Sequence, residues 1–243
     1  MECAKGKWII FADADDYFSA DFDSMLEQYK DAACDAIYFK TQCRMTDNSD
    51  KVGSRQWLCD NWSRYIDGIM AGEQRAEDLL IAMMVPWGKF VKRSFLTDNN
   101  IRFEEVPYGN DVMWATLVAV TIRPENFRVS EAVLYTLTER SNSLFNTVKP
   151  EAFLCRLKGL IRQQKVLRAH GRDMEINYLY YFSEADKISL LTLAKTMMVA
   201  IRYNTSLPPV YPIEKSLRLR HPILYMIVFF LCSLKARLLC SRQ

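Results

Sequence analysis

The residues best placed to do chemistry are Asp13, Asp15 and Asp16, in the run Asp13-Ala14-Asp15-Asp16 that follows the apolar stretch Trp8-Ile9-Ile10-Phe11. In extended geometry Asp13 and Asp15 point to the same side, because strand side chains alternate. Two ionised carboxylates about 4 Å apart repel by about 4 kcal/mol at an effective dielectric near 20, so such a pair seeks a proton or a cation. A small set of hard oxygen ligands suits Mg²⁺ or Mn²⁺, completed by phosphate oxygens and water. The chain has neither a GxGxxG nor a GxxxxGK[ST] loop, so a glycine-rich backbone cradle for phosphate is lacking. The competing reading of the four residues is an acidic turn that caps the next helix.

The elements around this cluster follow from local pattern. Trp8–Phe11 is continuously apolar, as in a strand buried on both faces of a parallel sheet. A helix capped by Ser19 or Asp21 follows, carrying Phe22, Met25, Leu26 and Tyr29 at three-to-four spacing. Ala36–Phe39 reads as a second strand, giving the start of an α/β pattern. Residues 44–55 form a polar loop, and Trp57–Met84 reads as helix weakened at Gly68 and Gly72. Val85–Val91 is loop and strand, Asp111–Val120 helix and Val133–Leu137 strand. From Pro150 the pattern is helical, with an apolar stripe of Phe153, Leu157, Leu160, Ile161 and Leu167 that stops at Gly171. A further helix is expected from Ser183 to about Asn204.

Composition removes several classes of function. Of 243 residues, 50% are apolar and 25% charged, which excludes global disorder. The formal charge of +3 argues against a nucleic-acid binder. Two histidines, His170 and His221, leave little for a multi-histidine metal site or a Ser-His-Asp triad. Seven cysteines without a CxxC pair fit reduced thiols in the cytosol better than a disulfide framework. Met1–Lys7 is too polar to open a signal peptide, which points away from secretion.

The segment Ala4-Lys5-Gly6-Lys7-Trp8-Ile9-Ile10-Phe11-Ala12-Asp13-Ala14-Asp15-Asp16-Tyr17-Phe18 resembles the stretch of family 2 glycosyltransferases that ends in their acidic metal-binding motif. Val85-Pro86-Trp87-Gly88-Lys89-Phe90-Val91-Lys92-Arg93-Ser94-Phe95-Leu96 resembles their tryptophan-lysine segment. Asn100–Phe103 with Gly109-Asn110-Asp111 is similar to the stretch carrying a Glu-Asp pair, and Tyr135 through Arg140 to Ser143 resembles the closing strand. The matches run in order over residues 4–145. A DxDx[TV] phosphatase loop also follows an apolar strand, but Tyr17 stands where Thr or Val is required.

The resemblance implies an α/β fold, a partial GT-A (Rossmann-like) sheet without its first strands, and a helical C-terminal extension. It divides the chain into a partial glycosyltransferase domain (1–145), a helical extension (146–212) and a basic apolar C-terminal helix (213–243). The implied activity is inverting transfer of a sugar from a nucleotide-sugar donor to a hydroxyl of a glycan or lipid-linked glycan. On that reading Asp13 and Asp15 hold Mg²⁺ or Mn²⁺ against the donor diphosphate, with Asp16 as a supporting ligand or cap, and Asp111 is the general base. Trp87 offers a sugar-stacking face or packs in the core. Lys89 contacts acceptor or phosphate, or is a solvated charge. Asn110 and Arg140 complete the substrate-binding set.

Two departures from the family pattern stand out. Its Glu-Asp pair is Asn110-Asp111 here, and its strand-helix-strand units before the acidic motif have no counterpart. The expectation is an uncovered apolar strand edge, prone to association, and an enzyme half or inactive remnant. Residues 213–243 carry a net +5 and flank the uncharged run Pro222–Leu234, so the preceding residues sum to −2. That run is shorter than the ~20 residues of a membrane span. A basic, apolar helix on an anionic cytoplasmic leaflet is expected, with docking on the core as the alternative.

Overall fold

The computed structural model describes residues 3–140, 149–172 and 174–203. The chain falls into two units, Met1–Glu105 with Asn110–Asn146, and Val106–Gly109 with Thr147–Gln243. Ser143 and the segment 213–243 lie outside the described residues.

The first unit is mixed α/β. Its strands are β1 (Trp8–Ile9), β2 (Tyr17–Phe18), β3 (Ala36–Met45), β4 (Lys89–Lys92) and β5 (Phe127–Glu139), in the sheet order β1-β4-β3-β5-β2. Only β3 and β5 run parallel; the other three pairings are antiparallel. Its helices are α1 (Phe22–Tyr29), α2 (Gln56–Met70), α3 (Ala76–Ala82), α4 (Arg93–Asp98) and α5 (Asp111–Thr121). Ala36–Phe39 of β3 is almost wholly buried, and with Phe90, Val91 and Tyr135 it forms the centre of the core.

Trp8–Phe11 departs from the expected strand of a parallel sheet. Its strand is two residues long, lies at the edge and pairs antiparallel with β4. The apolar run is covered by side chains instead. Ile9 enters the core, Trp8 Nε1 donates to the Tyr29 carbonyl at 3.1 Å, and Phe11 packs on Phe103 and Trp114. Continuous hydrophobicity signals burial, and here helices and loops supply it.

The expected helix over Trp57–Met84 is two helices, broken where Gly72 takes a φ of 74°. The strand expected at Ala36–Phe39 extends to Met45, because β5 lies beside it along that whole length.

The second unit holds α6 (Pro150–Ala169), α7 (Tyr178–Ile188) and α8 (Leu190–Tyr203). The α6 stripe is buried at Phe153, Leu157, Ile161 and Leu167, the first three clustered with Tyr178, Phe182, Leu193 and Met197. Gly171 ends α6 as expected. The Arg172 N–H reaches the Leu167 carbonyl and the Gly171 N–H that of Arg168, the two bonds of a Schellman stop. The helix expected from Ser183 starts earlier, where Asn177 Oδ1 accepts the Tyr180 N–H at 3.1 Å. It breaks at Ser189, whose extended backbone and Oγ cap α8 through the Thr192 N–H. Among the described residues, no helix is long and apolar enough to cross a membrane, and Cys3, Cys34, Cys43, Cys59 and Cys155 are free thiols.

Candidate active site

The acidic turn joins β1 to β2 and is tied down by β5. The Asp13 N–H donates to Tyr135 Oη at 2.8 Å, and Tyr135 Oη donates to Asp16 Oδ2 at 2.7 Å. The Thr138 N–H donates to Asp16 Oδ1 at 2.7 Å, and Thr138 Oγ1 donates to the Asp15 carbonyl. Asp16 is thus occupied on both oxygens by the strand beside it. Asp13 and Asp15 are exposed.

The electrostatics of Asp13 show which charges share its surroundings. Partial desolvation raises its carboxyl above the usual carboxylate range, and the negative charges of Asp16, Asp15 and Asp111 raise it further. Arg55 opposes them. Asp111 is distant in sequence, yet close enough in space for its charge to bear on Asp13.

An aromatic cluster accounts for that proximity. Phe11, two residues before Asp13, meets Trp114 edge-on at 5.1 Å between ring centroids, and Phe103 at the same distance. Phe103 and Trp114 stack at 5.3 Å with planes 6° apart. Trp114 lies on α5 one turn after Asp111, the first residue of that helix. Edge-to-face and offset-stacked aromatic pairs contribute about 0.5–1.5 kcal/mol each beyond their area. The cluster therefore packs the segment after β1 against α5, the two stretches that carry Asp13 and Asp111.

The remaining expected site residues divide. Asn110 precedes α5, with its side chain exposed and its carbonyl accepting the Glu104 N–H. Arg140 is exposed just past the end of β5. Trp87 is only 7% exposed, stacked on Tyr135 at 5.2 Å with planes 15° apart and edge-on to Trp62. Of its two readings, the structure gives core packing.

Lys89 corrects both expectations for it. Its side chain is fully buried, with Nζ donating to the Met83 carbonyl at 2.9 Å and lying 3.8 Å from the centroid of the Tyr38 ring. Strand pairing sets Lys89 opposite Tyr38 in the core, so it reaches neither solvent nor a ligand. Burial holds its amine well below the ordinary lysine value.

Gly88, between these two, has a φ of 72°, and a Cβ there would come within 2.7 Å of both Met83 Cε and Thr41 Cγ2. Gly88→Ala is expected to lower stability by about 1–3 kcal/mol through left-handed strain and overpacking. Urea unfolding midpoints check this; an unchanged midpoint contradicts it.

Arg55, Tyr135 and Thr138 are site residues whose roles the sequence reading missed. Glu139 positions Arg55: Ser54 Oγ donates to its Oε1 at 2.6 Å and the Arg55 N–H to its Oε2 at 3.3 Å. The Ser54 hydrogen bond leads the effects that lower the Glu139 carboxyl. Arg55 Nη2 donates in turn to the Thr138 carbonyl at 3.3 Å.

The donor chemistry at the turn fits a divalent cation. Asp13 and Asp15 are exposed oxygen donors; partial desolvation first, and the neighbouring carboxylates second, raise the Asp13 carboxyl, and a cation would offset the second of these. Among the described residues, no group of three or more Asp, Glu, His or Cys is arranged to enclose a metal alone. A cavity of about 520 Å³ opens elsewhere, beside β1, on Ile9, Leu96, Ile101 and Phe103 with Arg93 and Arg102 at its wall. None of the expected site residues lines it.

These features define a partial Rossmann-like α/β fold of the glycosyltransferase kind. The likeness that carries this is to S. aureus TarS 1–349 in complex with UDP, with a TM-score of 0.51 at 15% identity, covering 100% of this chain and 69% of that one. TarS 1–349 in complex with UDP-GlcNAc matches with a TM-score of 0.48 at 15% identity, covering 93% of this chain and 57% of that one. TarS 1–349 without a named ligand matches with a TM-score of 0.48 at 12% identity, covering 93% and 55%. The chain thus spans little more than half the length of the latter two structures. No protein-family model matches it, and no curated protein does.

Proposed function

We propose that this chain is the metal- and acceptor-side portion of a family 2-type glycosyltransferase, transferring a sugar from a nucleotide-sugar donor to an acceptor hydroxyl with inversion. The observation that carries the reading is the Phe11–Phe103–Trp114 cluster, which packs the first turn of α5, where Asp111 stands, against the segment leading into the acidic turn. The glycosyltransferase-type fold supports it. Asp13 and Asp15 are the proposed ligands of Mg²⁺ or Mn²⁺, which when bound supplies positive charge against that developing on the leaving diphosphate. Asp111 accepts the proton of the acceptor hydroxyl as it attacks from the face opposite the departing nucleotide. Asn110 and Arg140, both exposed, are proposed acceptor contacts.

A second reading, an inactive remnant that serves as an interaction module, is favoured by Lys89 and Trp87, which serve the core instead of a ligand. Calorimetric titration with UDP in the presence of Mn²⁺ separates the two. Heat that disappears when Mn²⁺ is omitted, and in Asp13→Asn, is expected. Absence of heat at millimolar nucleotide supports the remnant.

A further inference from the structure

Tyr135 joins three parts of the first unit. Its ring stacks on Trp87 and meets Phe18 edge-on at 5.7 Å, so β5, β2 and the segment before β4 hold it in place. Its hydroxyl is the only polar part, and both of its roles there are used: Oη accepts the Asp13 N–H and donates to Asp16 Oδ2. Asp16 takes its other bond from the Thr138 N–H.

We infer that Tyr135 is the positioning residue of the acidic turn, using Asp16 as its anchor and leaving Asp13 and Asp15 as the carboxylates that face a ligand. Tyr135 and Asp16 then act as one unit. Without the hydroxyl, the Asp13 amide loses its acceptor and Asp16 keeps only its bond to Thr138. The turn loosens at the residue that most needs to be fixed. Asp16, although it belongs to the acidic motif, serves geometry and not coordination. The inference rests on the proposed cation reading only for its effect on metal affinity; the anchoring of the turn stands apart from it.

The test is a double-mutant cycle of Tyr135→Phe and Asp16→Asn, read in two ways. Tyr135→Phe keeps the ring and its stacking, so folding is preserved and a thermal melt verifies it. The first readout is hydrogen exchange at the Asp13 amide, expected to accelerate about tenfold or more in Tyr135→Phe. Unchanged exchange overturns the inference whether or not metal binds. The second readout is Mn²⁺ affinity from the free-ion paramagnetic resonance signal. Each single variant is expected to lose about tenfold, and the double variant no more than either, since residues acting through one network are not additive. A loss near a hundredfold in the double variant shows Asp16 to be an independent ligand and overturns the anchor assignment. If the unsubstituted protein binds no Mn²⁺, the cation reading fails, and amide exchange alone decides the role of Tyr135.

Discussion

Asp111→Asn is expected to reduce sugar transfer by about 10²–10⁴-fold, the usual contribution of a positioned general base, with Mn²⁺ affinity close to that of the unsubstituted protein. Asp111 sits at the first position of α5 and is only half-buried, so the exchange leaves the packing of the helix intact. The Phe11–Phe103–Trp114 cluster that brings it to the turn is likewise untouched. A second measurement checks the geometry without any turnover. The Asp111 charge contributes to the raised proton affinity of Asp13, so its removal lowers the titration midpoint of the Asp13 carboxyl. Carboxyl carbon shifts followed through acid titration read this directly. An unshifted Asp13 would separate the two residues, and unimpaired transfer would dismiss Asp111 as base.

The acidic turn and the start of α5 were legible in the sequence because each is local. A run of carboxylates after an apolar strand, and an Asp at the head of a helical pattern, need no knowledge of neighbours. What binds them together was not legible. Tyr135 lay within a recognised strand, but its hydroxyl gains meaning only when β2 pairs beside β5 and brings the turn to it. Its place within the strand expected at Val133–Leu137 was the one available signal. Arg55 offered none, since it stands in a polar loop and is carried to Asp13 by the reach of Glu139 from β5.

The same distinction explains Trp87 and Lys89. Their types suit a sugar-binding site, but the β3–β4 pairing buries Lys89, and Tyr135 and Trp62 bury Trp87, neither of which spacing along the chain encodes. The apolar run at Trp8–Phe11 failed in the complementary way. Its burial was legible, but what covers it was not, because Phe11 is packed by side chains of α5 and of the loop before it, which are distant in sequence.

The buried amine of Lys89 carries the second large effect, on stability. Its folded-state proton affinity lies well below the unperturbed 10.5, with burial as the cause. The unfolded chain therefore holds a proton over a pH range in which the folded chain does not. Stability then rises with pH between the folded-state value and 10.5, by at most about 1.4 kcal/mol per pH unit for one proton. Below that window both states are protonated, and the penalty for burying the charge is at its greatest.

Lys89→Met fills similar volume and removes the titration, at the expense of the hydrogen bond to the Met83 carbonyl, worth about 1 kcal/mol. Urea unfolding over a pH series up to about pH 9.5 is expected to show the stability of the variant, relative to the unsubstituted protein, falling as pH rises above the folded-state value. Tyr38 and Tyr135 do not confuse the comparison, since both phenols are raised, and both proteins contain them. A lysine that reached solvent or a phosphate would titrate near its ordinary value and leave the difference flat over this range. That flat result would return Lys89 to the ligand-binding role its motif suggested.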